Sequence, residues 1–164
     1  EAQNFSDEKF LLMEKADEDR IPKKVMRMFM CQYLLSKTYK DMFDENKILS
    51  AYSDETERFE AHHIIPLGTV KKVGESTKKL RDDEKNICNS PLNFVYITKK
   101  VNKEISDESL KDYVQKINAE AKAKLHITAY TNSDIPQDQV KQILRERYDF
   151  LKGDIRERIS TLLS

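Results

Sequence analysis

From Lys23 to about Phe43, apolar residues return at Val25, Met26, Phe29, Met30, Tyr33, Leu34 and Leu35. Steps of three and four predict a helix with one buried face, and Pro22 suits its first turn. Residues 7–19 predict a shorter helix upstream, with Ser6 as N-cap and acidic residues in the first turn. Toward the C-terminus, Pro136 opens a long helix whose stripe is Val140, Leu144, Tyr148, Leu151, Ile155, Ile159 and Leu162. Gly153 lies inside it and marks a bend or a weak point.

The middle of the chain has a different rhythm. "RFEAHHIIPL" (58–67) and "NFVYI" (93–97) are short, β-branched and aromatic, and predict two strands. Between them, residues 68–91 read as a loop holding two of the three glycines. A loop of that length in a compact domain points to function. After the second strand, Thr98 caps a predicted helix over 99–105, and Ser106 caps another over 107–125. Residues 44–57 read as a polar loop or frayed helix, and 126–135 as a connection. The expected fold class is α+β, predominantly helical. A small strand–strand–helix core at 58–105 is flanked by an N-terminal helical segment (1–57) and a C-terminal one (106–164). All three fit one compact domain.

Composition sharpens this only in part. Hydrophobic residues make up 38% and charged residues 35% of 164, as long solvated helices require. Lys+Arg and Asp+Glu both total 29, so the net charge of zero gives no global pull toward nucleic acid. A local basic patch remains compatible with it. Cys31 and Cys88 form no CxxC motif and read as two free, buried thiols of a reducing compartment. No run approaches the roughly 20 apolar residues of a membrane span. With no visible signal peptide, the expectation is a cytoplasmic protein without membrane partners. The chain starts at Glu1, not Met, and is expected to be an excised piece or a fragment of a longer protein.

The candidate chemistry sits in "EAHHIIPLG", which holds two of the three histidines side by side. Alone, such a pair reads most simply as a solvated turn. Asn93 alone reads as a turn residue after Pro91, and Asn102 alone as a helix-surface residue. Taken in order, "HHIIP" followed by "NFVYITKKVN" resembles the ββα-metal core of the HNH endonucleases. That superfamily shows a [D/E/H]-H-x-x-P element, an Asn opening the second strand, and a His or Asn on the following helix. Asn93 and Asn102 stand nine residues apart, as in many members. The cysteine pairs that hold structural zinc in many of them are missing, with Thr98 and Val101 at one pair's positions. Such a core has to be braced by packing instead. "SPLNFVYITKKVNKEISDESLKDY" with "LRERYDFLKGDI" further resembles the C-terminal nuclease region of GmrSD-type restriction proteins. Those act in bacterial defence against phage DNA and pair this region with a ParB-like nucleotide-hydrolysing domain, which is absent here.

The resemblance implies roles. His63, just before x-x-P, would be the general base that takes a proton from water. Asn93 would tie the loop and orient that base. His62 and Asn102 would hold one divalent metal, Mg²⁺ or Mn²⁺, with Ni²⁺ or Zn²⁺ as softer options suited to an imidazole ligand. Glu60 is a candidate for a contribution through water, while His126 reads as structural or exposed. Lys71, Lys72, Lys78, Lys79 and Arg81 in the loop, and Lys99, Lys100 and Lys103 on the helix, bracket the site as candidate phosphate contacts. A charge run is more often a solvated face, but these residues cluster within a chain of zero net charge. The implied activity is metal-dependent hydrolysis of double-stranded DNA. A catalytically silent HNH-like module that binds nucleic acid or a partner domain, an RNase on the same scaffold, and a purely structural metal site stay open.

Overall fold

The computed structural model describes residues 23–49, 58–70, 74–83, 86–105, 108–127, 135 and 137–163. The helix expected over 7–19, the Ser106 cap, Pro136 and the lysines at 71 and 72 lie outside them. Helix α1 spans Lys23–Lys37 and buries Met26, Met30, Tyr33 and Leu34. It ends six residues before the expected Phe43, and Val25 faces out. The cause is local competition for backbone donors. Asp41 Oδ1 accepts from Phe43 N at 2.9 Å and Asp44 Oδ1 from Asn46 N at 3.0 Å, turns that displace helix. A Lys40–Ile48 bridge then closes the segment.

Strands β1 (Phe59–His63) and β2 (Phe94–Thr98) pair antiparallel, with His62 opposite Val95 and His63 opposite Phe94. β1 is shorter than expected. Ile64 and Ile65 leave the ladder and turn into the core, where both are buried. The segment between the strands is not the plain loop expected. It holds short helices α2 (Leu67–Val70) and α3 (Thr77–Asp82), then two 3₁₀ turns, Ile87–Asn89 and Pro91–Asn93. Local capping builds the turns, since Asn86 accepts from Cys88 N and Ser90 from Leu92 N.

Helix α4 (Lys99–Ile105) follows β2 directly and packs on both strands. Thr98 Oγ1 caps it by accepting from Val101 N at 3.4 Å. Asp41 Oδ2 also accepts from Thr98 N at 2.7 Å, so the α1–β1 connection anchors this corner. The single helix expected over 107–125 is two: α5 (Leu110–Tyr113) with a 3₁₀ turn, then α6 (Ala119–Leu125). Asn118 divides them. Its side chain accepts from Glu120 N and Ala121 N, which makes it an N-cap with extended backbone.

Helix α7 (Gln137–Leu163) runs unbroken through Gly153 and buries Val140, Leu144, Tyr148, Leu151 and Ile155. The same face carries buried Arg147. Its Nε donates to Leu125 O at 3.0 Å, and its Nη1 to Leu92 O and to Phe94 O at 3.2 Å. Burial lowers its pKa to about 10, so it stays charged at neutral pH. One hydrophobic cluster draws on α1, β2, Ile64 and Ile65 in the bend after β1, the turns and α7. Among the described residues no helix is long and apolar enough to cross a membrane.

Candidate active site

Glu60 and His62 are two residues apart on β1 and so share a face. α4 lies across the strands and brings Asn102 to that face. His62 Nδ1 and Asn102 Oδ1 are 3.0 Å apart, and Asn102 Nδ2 donates to Glu60 Oε2 at 3.0 Å. A carboxylate only accepts, so the Asn102 amide must turn its nitrogen to Glu60 and its oxygen to His62. His62 Nδ1 then carries the proton in this arrangement. The imidazole is buried and sits edge-on to Tyr113, ring centroids 5.5 Å apart. Its buried Nε2 has no hydrogen-bond partner among the described residues. Burial lowers the His62 pKa against the opposing pull of Asn102, so the ring is neutral at pH 7.

His63 turns to different partners. Its ring packs on Phe94 at 4.4 Å between centroids, and Nε2 lies 3.2 Å from Asn89 Oδ1. Asn89 is buried, and its Nδ2 donates to Leu80 O at 2.6 Å, Arg81 O at 3.3 Å and Asp83 O at 2.9 Å. Three carbonyls therefore fix the amide with its oxygen toward His63. Nε2 must be the protonated nitrogen, and the Nδ1 lone pair of this partly exposed ring has no partner among the described residues. Burial pushes the His63 pKa down to about 4, with His62, Arg81 and Arg27 adding to the effect and Asn89 opposing it.

Asn93 is buried and works on backbone alone. Its Oδ1 accepts from Ile65 N at 2.9 Å, and its Nδ2 donates to Ile65 O at 3.2 Å and Cys88 O at 2.8 Å. Asn93, expected to orient His63, makes no hydrogen bond with the imidazole among the described residues; the side chain that meets the ring nitrogen is Asn89. Asn93 does tie the segment after His63 to the 3₁₀ turn. Tyr113 reinforces that bend by donating its hydroxyl to Ile64 O.

Lys78, Lys79 and Arg81 are exposed on α3, and Lys100 and Lys103 are exposed on α4. Lys99 is half-buried at the start of α4. His126 lies away from this cluster. It ends α6 in the left-handed region (φ 49°) and stacks on Phe150 at 4.2 Å.

Sequence reasoning missed Asn89 and Arg27. Arg27 on α1 holds its guanidinium carbon 4.9 Å from the Phe94 ring centroid, and its Nη2 donates to Asn89 O at 3.4 Å. Asn89 looks like one more turn former in "NICNSP", and Arg27 like any polar helix residue. No local signal marks either.

Among the described residues no three His, Cys, Asp or Glu side chains converge as a metal site. The donors that do converge are one imidazole nitrogen and one amide oxygen, with the Glu60 carboxylate behind the amide. For both to hold one ion, the His62 proton would have to leave Nδ1 for the buried, unpartnered Nε2, which would turn the Nδ1 lone pair toward the amide oxygen 3.0 Å away. Such a set would suit a borderline divalent ion only with further oxygen ligands from outside the protein.

A mostly helical α+β unit, with imidazole, amide and carboxylate groups gathered on a two-stranded sheet, is the class that fold and site define. The chain belongs to the family described as GmrSD restriction endonucleases, C-terminal domain, whose model matches residues 6–152. It is thus a restriction-type nuclease domain, with DNA as the substrate class. No curated protein and no solved structure matches the chain.

Proposed function

We propose that this domain is a metal-dependent endonuclease of the HNH, or ββα-metal, type that hydrolyses DNA phosphodiester bonds in restriction or anti-phage defence. The observation that carries this reading is the division between the two adjacent histidines. His62 joins Asn102 and Glu60, while His63 is held by Asn89 at Nε2, with Nδ1 unpartnered among the described residues.

His63 is neutral at pH 7 and can accept a proton at Nδ1 from an attacking water. Asn89 holds the Nε2 proton and thereby the ring's orientation. As the imidazole becomes cationic, the Asn89 oxygen, fixed by the hydrogen bonds its Nδ2 donates to three carbonyls, stabilises it. His62 and Asn102 are the residues that would hold the divalent ion, with Glu60 orienting the Asn102 amide. When bound, that ion would supply charge relief at a non-bridging phosphate oxygen and the leaving 3′ oxygen. The products of this chemistry carry 5′-phosphate and 3′-hydroxyl ends. Lys78, Lys79, Arg81, Lys100 and Lys103 would contact backbone phosphates without reading sequence.

The test is cleavage of supercoiled plasmid and of RNA with Mg²⁺, Mn²⁺ or Ni²⁺, comparing wild type with His63→Ala. DNA cutting that needs the ion and falls by about 10²–10⁴-fold in the variant supports the reading. Equal cutting by both proteins removes His63 as the base. Cutting of RNA alone reassigns the substrate, and no cutting by wild type with any ion favours a silent binding module.

A further inference from the structure

We propose that Arg27 is a further catalytic residue that contacts the scissile phosphate beside His63. This inference rests on the nuclease reading above.

Arg27 reaches the site from α1, outside the strand–strand–helix unit. Its guanidinium is half-buried yet poorly satisfied. Among the described residues the one hydrogen bond it makes is to Asn89 O, at a long 3.4 Å, and its buried Nε has no partner. Among the described residues no carboxylate pairs with it. A guanidinium carries five N–H donors, and taking it partly out of water without a counter-ion is unfavourable. An anion arriving at the site would recover that free energy.

The contrast with Arg147 is instructive. That guanidinium is fully inside the protein and donates through Nε and Nη1 to three backbone carbonyls, with only its Nη2 buried without a partner among the described residues. Arg147 is occupied by the fold, whereas Arg27 is held in place mainly by the Phe94 ring.

The placement fits a phosphodiester. The Phe94 ring carries Arg27 at 4.9 Å and the His63 ring at 4.4 Å. Asn89 joins the same two residues, accepting from Arg27 through its backbone oxygen and facing His63 through Oδ1. A planar guanidinium can meet two non-bridging phosphate oxygens at once. Negative charge on those oxygens grows as water attacks, so this contact is stronger in the transition state than in the ground state. Arg81 and the lysines of α3 and α4 are exposed and suit flanking phosphates instead.

The experiment uses the full domain and a short DNA duplex, with Arg27→Met and Arg27→Lys. Single-turnover cleavage is measured with the ion that supports wild-type cutting. Duplex affinity is measured as a function of salt. For Arg27→Met we expect cleavage about 100-fold slower or worse. The slope of log affinity against log salt should flatten by about 0.9, one phosphate contact. Arg27→Lys should keep the wild-type salt slope while recovering the rate only in part. A wild-type slope in Arg27→Met overturns the proposal whatever the rate, as does a wild-type protein that binds no duplex. A flattened slope with wild-type cleavage moves the contact to a flanking phosphate and overturns the catalytic role. Should wild type bind but never cut, the nuclease reading fails by itself, and with it the catalytic role.

Discussion

Asn89 Oδ1 faces His63 Nε2 at 3.2 Å, and the same amide closes the C-terminal end of α3 through the carbonyls of Leu80, Arg81 and Asp83. The helix that carries Lys78, Lys79 and Arg81 is thereby joined to the imidazole. Substituting Asn89→Ala should slow cleavage about 10- to 100-fold, the usual effect of losing a residue that orients a site ligand. The diagnostic is imidazole ¹⁵N NMR. Wild type should show His63 protonated at Nε2, and the variant a mixture of both tautomers. An unchanged tautomer in Asn89→Ala would refute this role.

Asn93 predicts the opposite pattern. Its amide satisfies Ile65 N, Ile65 O and Cys88 O in the fully buried bend after His63. Asn93→Ala strands these groups and should cost roughly 2–4 kcal/mol. Urea denaturation should show a lower midpoint, while the His63 tautomer in the folded fraction stays as in wild type. Asn93→Asp should also destabilise, because a carboxylate cannot donate to Ile65 O or Cys88 O.

Metal dependence separates a catalytic ion from a structural one. His62→Ala and Asn102→Ala should each weaken Mn²⁺ binding at least about tenfold by calorimetry. A chelator should abolish cleavage yet leave the fold standing. At an ion concentration ten times Kd, binding contributes about 1.4 kcal/mol. At roughly 2–4 °C per kcal/mol in a domain of this size, chelation should lower Tm by only a few degrees. Cooperative unfolding on chelation would assign the ion to structure.

Arg147 should matter through stability. Replacing it with Met keeps volume but leaves the carbonyls of Leu125 and Leu92 without the donor it supplies. Relief of the buried charge offsets part of that loss. The expected net destabilisation is about 2 kcal/mol, read as a drop in Tm by calorimetry. Arg147→Lys should not restore it, because one ammonium cannot span α6 and β2 as the guanidinium does. Wild-type melting in both variants would show that α7 docks by apolar contact alone.

What the sequence by itself determined is what depends on near neighbours. The α7 stripe, the Thr98 cap, the two strands, the His62–His63 pair and Asn102 on the next helix follow from periodicity and from backbone geometry across a few residues. The shortfalls have local causes too: Asp41 and Asp44 end α1 early, and Asn118 divides α5 from α6 by taking backbone donors a uniform helix would have used. Periodicity could not weigh that competition. Tertiary structure alone decided who meets whom across long separations. Asp41 reaches Thr98 over 57 residues, Asn89 reaches His63 over 26, and Arg27 reaches Asn89 over 62. Asn and Arg side chains look the same in sequence whether they face water or a site. Only packing of α1, α3 and α7 around the strands removes the water, and removing it leaves each such group the partners the fold supplies: three carbonyls and an imidazole for Asn89, one long hydrogen bond for Arg27.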